Sequence, residues 1–115
     1  MNINKRQFRK WIQALRSGKY NQTRYILHDS QGYCCLGVAC DILIPHKLKN
    51  LNGDGKMIGW SPYNQSNVPK WLKLINDDFK IKTGTYLMAC NDILGMSFNE
   101  IADVLELVYE HKMLD

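Results

Sequence analysis

The stretch GYCCLGVACD, residues 32–41, decides the fold, because a turn glycine leads there into a small apolar run with three of the four cysteines. The apolar residues that follow have helical spacing, and Pro45 lies just beyond the last turn. The pattern therefore predicts a buried helix over about 34–43. Gly37 inside this helix costs about 1 kcal/mol relative to Ala. That cost indicates that another backbone or a ligand packs closely against Gly37.

The first and last helices are marked by capping residues. Asn4 and Gln7 have the spacing of a capping box, and Gly18 is placed to end the first helix in a left-handed conformation. Ser97 and Glu100 form the same S-x-x-E pattern before the last helix. The apolar faces comprise Phe8, Trp11, Ile12 and Leu15 in the first helix, and Phe98, Ile101, Ala102, Leu105 and Val108 in the last.

Shorter elements are predicted between these helices. They are a strand over 22–27, a turn at 29–32, a hairpin or ordered loop around the NGDG at 52–55, a short helix from Pro69 through Leu74, a loop over 76–84, and a helix over 86–94. Together the elements predict an α+β fold. We expect one compact globular domain over 1–115, with about five helices and a small two- or three-stranded antiparallel sheet.

Composition excludes several classes of protein. Hydrophobic residues make up 45% and charged residues 23% of the chain, a globular balance that argues against disorder. No apolar run reaches the roughly 20 residues that span a bilayer, and no apolar segment follows the basic N-terminus as in a secretory signal. We therefore expect a soluble, cytoplasmic protein without a membrane partner.

The four cysteines are expected to be reduced, mostly buried thiols. Adjacent cysteines do not bond to each other without strain, and an unexported protein keeps its thiols reduced. There is no C-x-x-C pair, and the three histidines have no regular spacing to the cysteines, so neither a metal nor another cofactor is predicted. A site built from Cys34, Cys40, Cys90 and one histidine is the weaker alternative.

The basic charge is concentrated at one end of the chain. Residues 1–28 hold seven of the fifteen Lys and Arg residues and none of the eleven acidic ones. This segment could meet an acidic protein, a phosphorylated small molecule or nucleic acid, or it could be a solvated helix face. No helix-turn-helix is evident, so DNA binding is not predicted.

Asn91 and Asp92 are the first candidate site, because two poor helix formers stand side by side in an apolar helix. They either hydrogen-bond a loop backbone or recognise a ligand. The start of the cysteine helix, with its free N–H groups, is a second candidate for the same ligand. The predicted ligand-binding residues are Gln22, Arg24, Tyr25, Cys34, Cys35, Trp60, Asn91 and Asp92. For Asp92 we favour the ligand, since Gln22 and Arg24 offer it complementary groups.

A cysteine nucleophile is the alternative. A thiol at a helix N-terminus has a lowered pKa, which would suit Cys34 for catalysis with Asp41 or Asp92 and a histidine as partners. The competing interpretation is that the two cysteines are small buried residues, placed where larger ones would clash.

Four blocks of the chain resemble a family of small proteins from tailed phages and prophage-carrying bacterial genomes. They are WIQALRSGKYNQTRYIL (11–27), GYCCLGVACDIL (32–43), VPKWLKL (68–74) and CNDILGMSFNEIADVLE (90–106). The family has no assigned biochemical activity, so the resemblance implies a setting: a phage protein in the cytoplasm of a bacterial host.

From this setting we expect a non-enzymatic protein that antagonises host defence. It would sequester a nucleotide-type, phosphorylated small ligand or block a host defence protein. The alternative function is a cysteine-dependent hydrolase that uses Cys34. A homo-oligomer is compatible with the sequence.

Overall fold

The computed structural model describes residues 3–25, 27–43 and 70–113. The predicted hairpin around 52–55 and Trp60 lie outside these residues. Along the described chain the elements are α1 (Lys5–Arg16), β1 (His28–Asp29), β2 (Gly32–Tyr33), α2 (Cys35–Leu43), α3 (Lys70–Thr83), α4 (Leu87–Asp92) and α5 (Phe98–Met113). None of the helices in these ranges is long and apolar enough to cross a membrane.

The predicted α+β class is wrong, because the domain is mostly helical. The β-pairing found in the described residues is a two-residue antiparallel ladder that closes the 29–32 turn, together with an isolated bridge between Gln22 and Tyr33. This pairing is too small to form a layer on which helices could pack. About five helices were expected, and the described ranges contain five.

The strand predicted over 22–27 does not form. Tyr25 has a positive φ of 69°, which breaks the extended conformation that a strand requires. Its backbone N–H donates to the Asp92 side chain rather than to a neighbouring strand. The alternation of β-branched and aromatic residues was therefore overridden by a tertiary contact.

The loop predicted over 76–84 is also wrong, since α3 continues to Thr83. Lys82 forms an i,i+4 ion pair with Asp78, and Asp78 in turn accepts a hydrogen bond from the Tyr109 hydroxyl at 2.7 Å. Asn76, the first residue of the predicted loop, is fully buried and accepts a hydrogen bond from the Met88 N–H at 3.0 Å. Asn76 thus bonds α3 to α4, and Asp78 bonds α3 to α5.

The caps predicted for α1 and α5 are confirmed. Asn4 and Gln7 form the reciprocal capping box of α1, and Gly18 takes a positive φ of 74° after it. Ser97 and Glu100 form the corresponding box of α5. The apolar faces of α1 and α5 then pack on each other, with the Phe8 ring edge-on to Trp11 and to Tyr109.

The cysteine helix α2 lies at the centre of this core. Its residues from Cys35 to Cys40 are all buried, and the indole N–H of the fully buried Trp11 donates to the Cys35 carbonyl at 3.0 Å. The predicted close approach at Gly37 is confirmed, and its cause is a backbone. A Cβ added at Gly37 would lie 1.7 Å from the Leu27 carbonyl oxygen. The chain immediately before β1 therefore crosses directly over α2.

A Gly37→Ala variant tests this crossing. We expect a loss of about 3 kcal/mol or more in the free energy of unfolding, because the backbone of Leu27 has to move away. The matched control is Gly84→Ala, which has no atom within 4 Å of the new methyl group and only its φ of 84° to oppose the change. The control should lose about 1–2 kcal/mol. Equal losses in urea unfolding would contradict the crossing.

Candidate functional site

The side chain of Asn91 lies fully buried near the end of α4 and makes four hydrogen bonds. Its Oδ1 accepts from Gln22 Nε2 at 2.8 Å and from the Cys35 N–H at 3.3 Å. Its Nδ2 donates to the Thr23 carbonyl and to Asp92 Oδ1, both at 2.8 Å. Four is the full capacity of a carboxamide, so this group is completely satisfied.

Asp92 continues this set of hydrogen bonds to Tyr25, farther along the loop. Its Oδ1 also accepts the backbone N–H of Tyr25 at 2.9 Å. Gln22 Nε2 reaches the Met96 carbonyl at 2.8 Å as well. We call the linked residues Gln22, Thr23, Tyr25, Cys35, Asn91 and Asp92 the Asn91 network. It holds the loop 22–25 alongside the end of α4 and, through Cys35, against the start of α2.

Asp92 was expected to contact a ligand, because Gln22 and Arg24 offered complementary groups for which a buried backbone partner has no need. The structure supplies such a backbone partner in Tyr25. Gln22, one of the groups thought to complement a ligand, is bonded to Asn91 instead. The contacts therefore favour the structural interpretation of the pair, in which it hydrogen-bonds a loop backbone.

The N-terminus of α2 was expected to offer free N–H groups to an anion. The Cys35 N–H donates to Asn91, and the Cys34 N–H donates to the Leu27 carbonyl at 3.1 Å. The Gly37 N–H lies 3.4 Å from the Cys34 sulfur, which caps the first turn. Acceptors of the protein itself thus occupy the positions in which an anion would bind.

All four thiols are free and buried, as predicted. Burial raises the pKa of the Cys34 thiol to about 12 and that of Cys35 well above its ordinary value. Burial also raises the pKa of Cys40 and of Cys90. The direction is opposite to the lowered pKa that a cysteine nucleophile needs, because a buried thiolate would lose its hydration without gaining a cation.

The described histidine is also committed to structure. The His28 ring stacks on Tyr33 with centroids 3.9 Å apart, and its Nδ1 lies 2.8 Å from the Gly32 carbonyl oxygen. Nothing is described for the side chains of His46 and His111. In the described part of the chain, no three His, Cys, Asp or Glu residues come together as a group that could hold a metal ion.

Tyr25 has an unusual backbone for an aromatic residue. Its φ of 69° lies in the left-handed region, which costs roughly 1–2 kcal/mol for a residue with a Cβ. The hydrogen bond from its N–H to Asp92 holds this conformation. The side chain is nevertheless 65% exposed. The strained backbone therefore carries an aromatic ring that lies in solvent, so burial of the ring does not offset the cost of the strain.

Two exposed aliphatic residues belong to the same surface. Ile93 is 74% and Leu94 60% exposed, directly after Asp92. A Cβ at Gly95 would lie 3.4 Å from the Arg24 guanidinium, so Arg24 lies over this segment. We call Arg24, Tyr25, Ile93 and Leu94 the Tyr25 patch. Its residues adjoin the Asn91 network in the chain, since Arg24 follows Thr23 and Ile93 follows Asp92.

The eight residues predicted to bind a ligand therefore have different environments. Gln22, Cys35, Asn91 and Asp92 are joined by hydrogen bonds, as the Asn91 network. Arg24 and Tyr25 are exposed in the Tyr25 patch. Cys34 is buried at the start of α2, and Trp60 lies outside the described residues.

Sequence reasoning missed Thr23 in the network, and Ile93 and Leu94 in the patch. It assigned both aliphatic residues to the apolar positions of a helix over 86–94. The helix ends at Asp92, with Ile93 as its C-cap. The one available signal was Gly95, whose positive φ of 67° turns the chain away immediately afterwards.

A family profile matches residues 3–109, which span all the described elements except the last residues of α5. Its description is "Domain of unknown function (DUF8296)". The chain belongs to the DUF8296 family. Both the Asn91 network and the Tyr25 patch lie within the DUF8296 domain. No curated protein and no solved structure matches the chain.

Thiol labelling tests the burial of the cysteines in this DUF8296 domain. A raised pKa of about 12 against an ordinary 9.0 lowers the thiolate fraction of Cys34 about a thousandfold at neutral pH. We expect all four thiols to react slowly with a disulfide reagent in the native protein. In denaturant without reductant, all four should react rapidly. One thiol that reacts rapidly in the native state, identified as Cys34 by mass spectrometry, would contradict the assignment.

Proposed function

We propose that this chain is a small, non-enzymatic, phage-encoded protein that antagonises host defence by binding a host protein through the Tyr25 patch. The phage setting, and with it the cytoplasm of the host cell, rests on the resemblance of its four sequence blocks. The binding surface rests on the structure. The observation that carries the proposal is the strained, exposed conformation of Tyr25.

The composition of the patch supports a protein partner. Tyr and Arg are enriched among the residues that dominate binding energy at protein interfaces. The patch also holds two aliphatic side chains that are more than half exposed, next to Gly95, over which Arg24 lies. Contiguous exposed apolar residues with a polar rim are typical of interaction sites.

The rigidity of the patch supports the proposal further. The backbone N–H of Tyr25 donates to Asp92, and Asp92 also accepts a hydrogen bond from the Asn91 side chain. The Asn91 side chain makes all the hydrogen bonds that it can make. The backbone that carries the ring is thus fixed before binding, and a backbone fixed in advance loses less conformational entropy on binding. Residues kept in sparsely populated backbone regions also cluster at functional sites. The Asn91 network therefore fixes the backbone that carries the exposed ring.

The charge of the chain favours a partner with an acidic surface. The formal net charge is +4, and among the described residues Arg24 has no carboxylate within ion-pair distance. Arg16, by contrast, is already paired with Asp103 and Glu106 of α5. An acidic partner would gain a charge-assisted contact with Arg24 at the edge of the patch.

The alternatives receive less support from the contacts. A nucleotide at the predicted site would have to displace internal hydrogen bonds of Gln22, Asn91 and Asp92. A cysteine-dependent hydrolase would need an ionised Cys34, and burial opposes ionisation there. Both considerations favour a non-enzymatic function that uses the outer surface.

A plating assay with patch variants tests the proposal. The chain is expressed in bacteria that each carry one cloned phage-defence system, and a phage sensitive to that system is plated. We expect the wild type to restore plating against at least one system, and Tyr25→Gly to lose this effect. Glycine adopts a positive φ without strain, so the substitution removes the ring and should change the melting temperature little. With the purified target, Tyr25→Gly should raise Kd about 30-fold or more.

The matched control is Leu107→Ser, which removes an aliphatic side chain of α5 that is even more exposed than Leu94, at 81% against 60%. It should leave plating and Kd unchanged, whereas Leu94→Ser in the patch should reduce the restored plating and raise Kd. Restored plating by Tyr25→Gly at the wild-type level, or no restored plating against any system, would contradict the proposal.

A further inference from the structure

A second surface lies along the C-terminal half of α1, and none of its lining residues belongs to the Asn91 network. It is an open groove of about 470 Å³ between the C-terminal half of α1 and the end of α2. This volume lies within the range of about 300–1,000 Å³ typical of small-molecule sites. The lining residues are Lys10, Gln13, Ala14, Ser17, Lys19, Tyr20 and Ile42. None of them was predicted as a site residue.

The groove is positively charged. Lys10 and Lys19 both line it, and neither lies within ion-pair distance of a carboxylate in the described part of the chain. The Gln13 amide on the exposed face of α1 is an additional donor. Asp41, which precedes Ile42, is not part of the lining, and its Oδ2 accepts the Tyr20 hydroxyl at 2.6 Å. The free donors of the groove are therefore two ammonium groups and an amide.

Tyr20 gives the groove an aromatic wall in a fixed orientation. Its hydroxyl is held by Asp41, and its ring packs edge-on against Tyr33 with centroids 5.0 Å apart and planes at 87°. Burial and the bond to Asp41 raise the pKa of the Tyr20 hydroxyl, so it stays protonated and keeps donating. Ala14 and Ile42 add apolar contacts beside the ring.

We propose that this groove binds a phosphorylated aromatic small molecule of nucleotide size. The phosphate lies between Lys10 and Lys19, and the aromatic group lies against Tyr20. Ammonium groups recognise phosphate by charge, while a flat aromatic wall recognises a base by stacking. The groove shares no residue with the Tyr25 patch, so this proposal stands independently of the proposed protein partner.

Nuclear magnetic resonance titration of the full chain tests the proposal. The probes are ADP, GDP, CDP and UDP, with inorganic pyrophosphate and the four nucleosides as partial ligands. We expect at least one nucleoside diphosphate to shift the backbone amides of Gln13, Ser17, Lys19 and Tyr20 in a saturable way. That diphosphate should bind at least tenfold more tightly than pyrophosphate or its own nucleoside, since each partial ligand keeps only half of the contacts.

Charge-matched variants separate a site from general attraction to a basic protein. The variant Lys10→Gln/Lys19→Gln should weaken binding at least tenfold. Its control, Lys70→Gln/Lys73→Gln, removes the same charge from exposed positions on α3 and should change the affinity less than twofold.

Three results would overturn the proposal. They are the absence of saturable shifts with any of the four nucleotides, equal affinity for pyrophosphate and the best nucleotide, and equal loss of affinity in the two lysine variants. A fourth result would overturn it as well: if Lys19 only compensates the C-terminal end of α1, Lys10→Gln/Lys19→Gln will lower the melting temperature without any effect on nucleotide affinity.

Discussion

The burial of one carboxamide constrains the centre of this domain. Asn91 has no contact with solvent, and water cannot replace a lost partner there. Each of its four hydrogen bonds therefore has to be made by the protein, and the partners come from the loop 22–25, from α2 and from α4 itself. The path of the loop and the position of the cysteine helix are fixed together, because both must satisfy the same group.

The exposed surface follows from this buried constraint. The loop meets Asn91 through Gln22 and Thr23, and it then turns at Tyr25, whose N–H donates to Asp92. The positive φ of this turn is costly for a residue with a side chain. A glycine would relieve the cost, yet the position holds a tyrosine whose ring is in solvent. A strained backbone that carries an exposed ring is consistent with a surface that is kept for a partner. The proposed binding surface and the buried network thus meet at adjacent residues, because Asp92 holds the Tyr25 backbone from inside.

Local sequence signals predicted the parts of the fold that depend on local chemistry. The capping residues Asn4 and Ser97 set the starts of α1 and α5, since their partners lie three residues away in the chain. Gly37 indicated a close backbone approach because a glycine weakens a buried helix, and the space that a Cβ would fill is then taken by a neighbour. The identity of that backbone, Leu27, depends on the tertiary path and could not be predicted. The strand over 22–27 failed for the same reason: Asp92, distant in sequence, supplies the partner of Tyr25. Asn91 and Asp92 were correctly singled out as unusual, but a sequence cannot distinguish a polar group that meets a ligand from one that meets a loop.

The unfolding free energy of Asn91→Ala, measured against Asn99→Ala, tests the central claim most directly. Asn99 is exposed on α5, so its replacement should change the stability by about 0.5 kcal/mol or less. Asn91→Ala leaves the Cys35 N–H and the Thr23 carbonyl without their partner, and each such group costs about 1–3 kcal/mol. The account predicts a loss of about 3 kcal/mol or more in urea unfolding. A loss below about 1 kcal/mol would contradict it, and would mean that the polar pair is not needed by the fold.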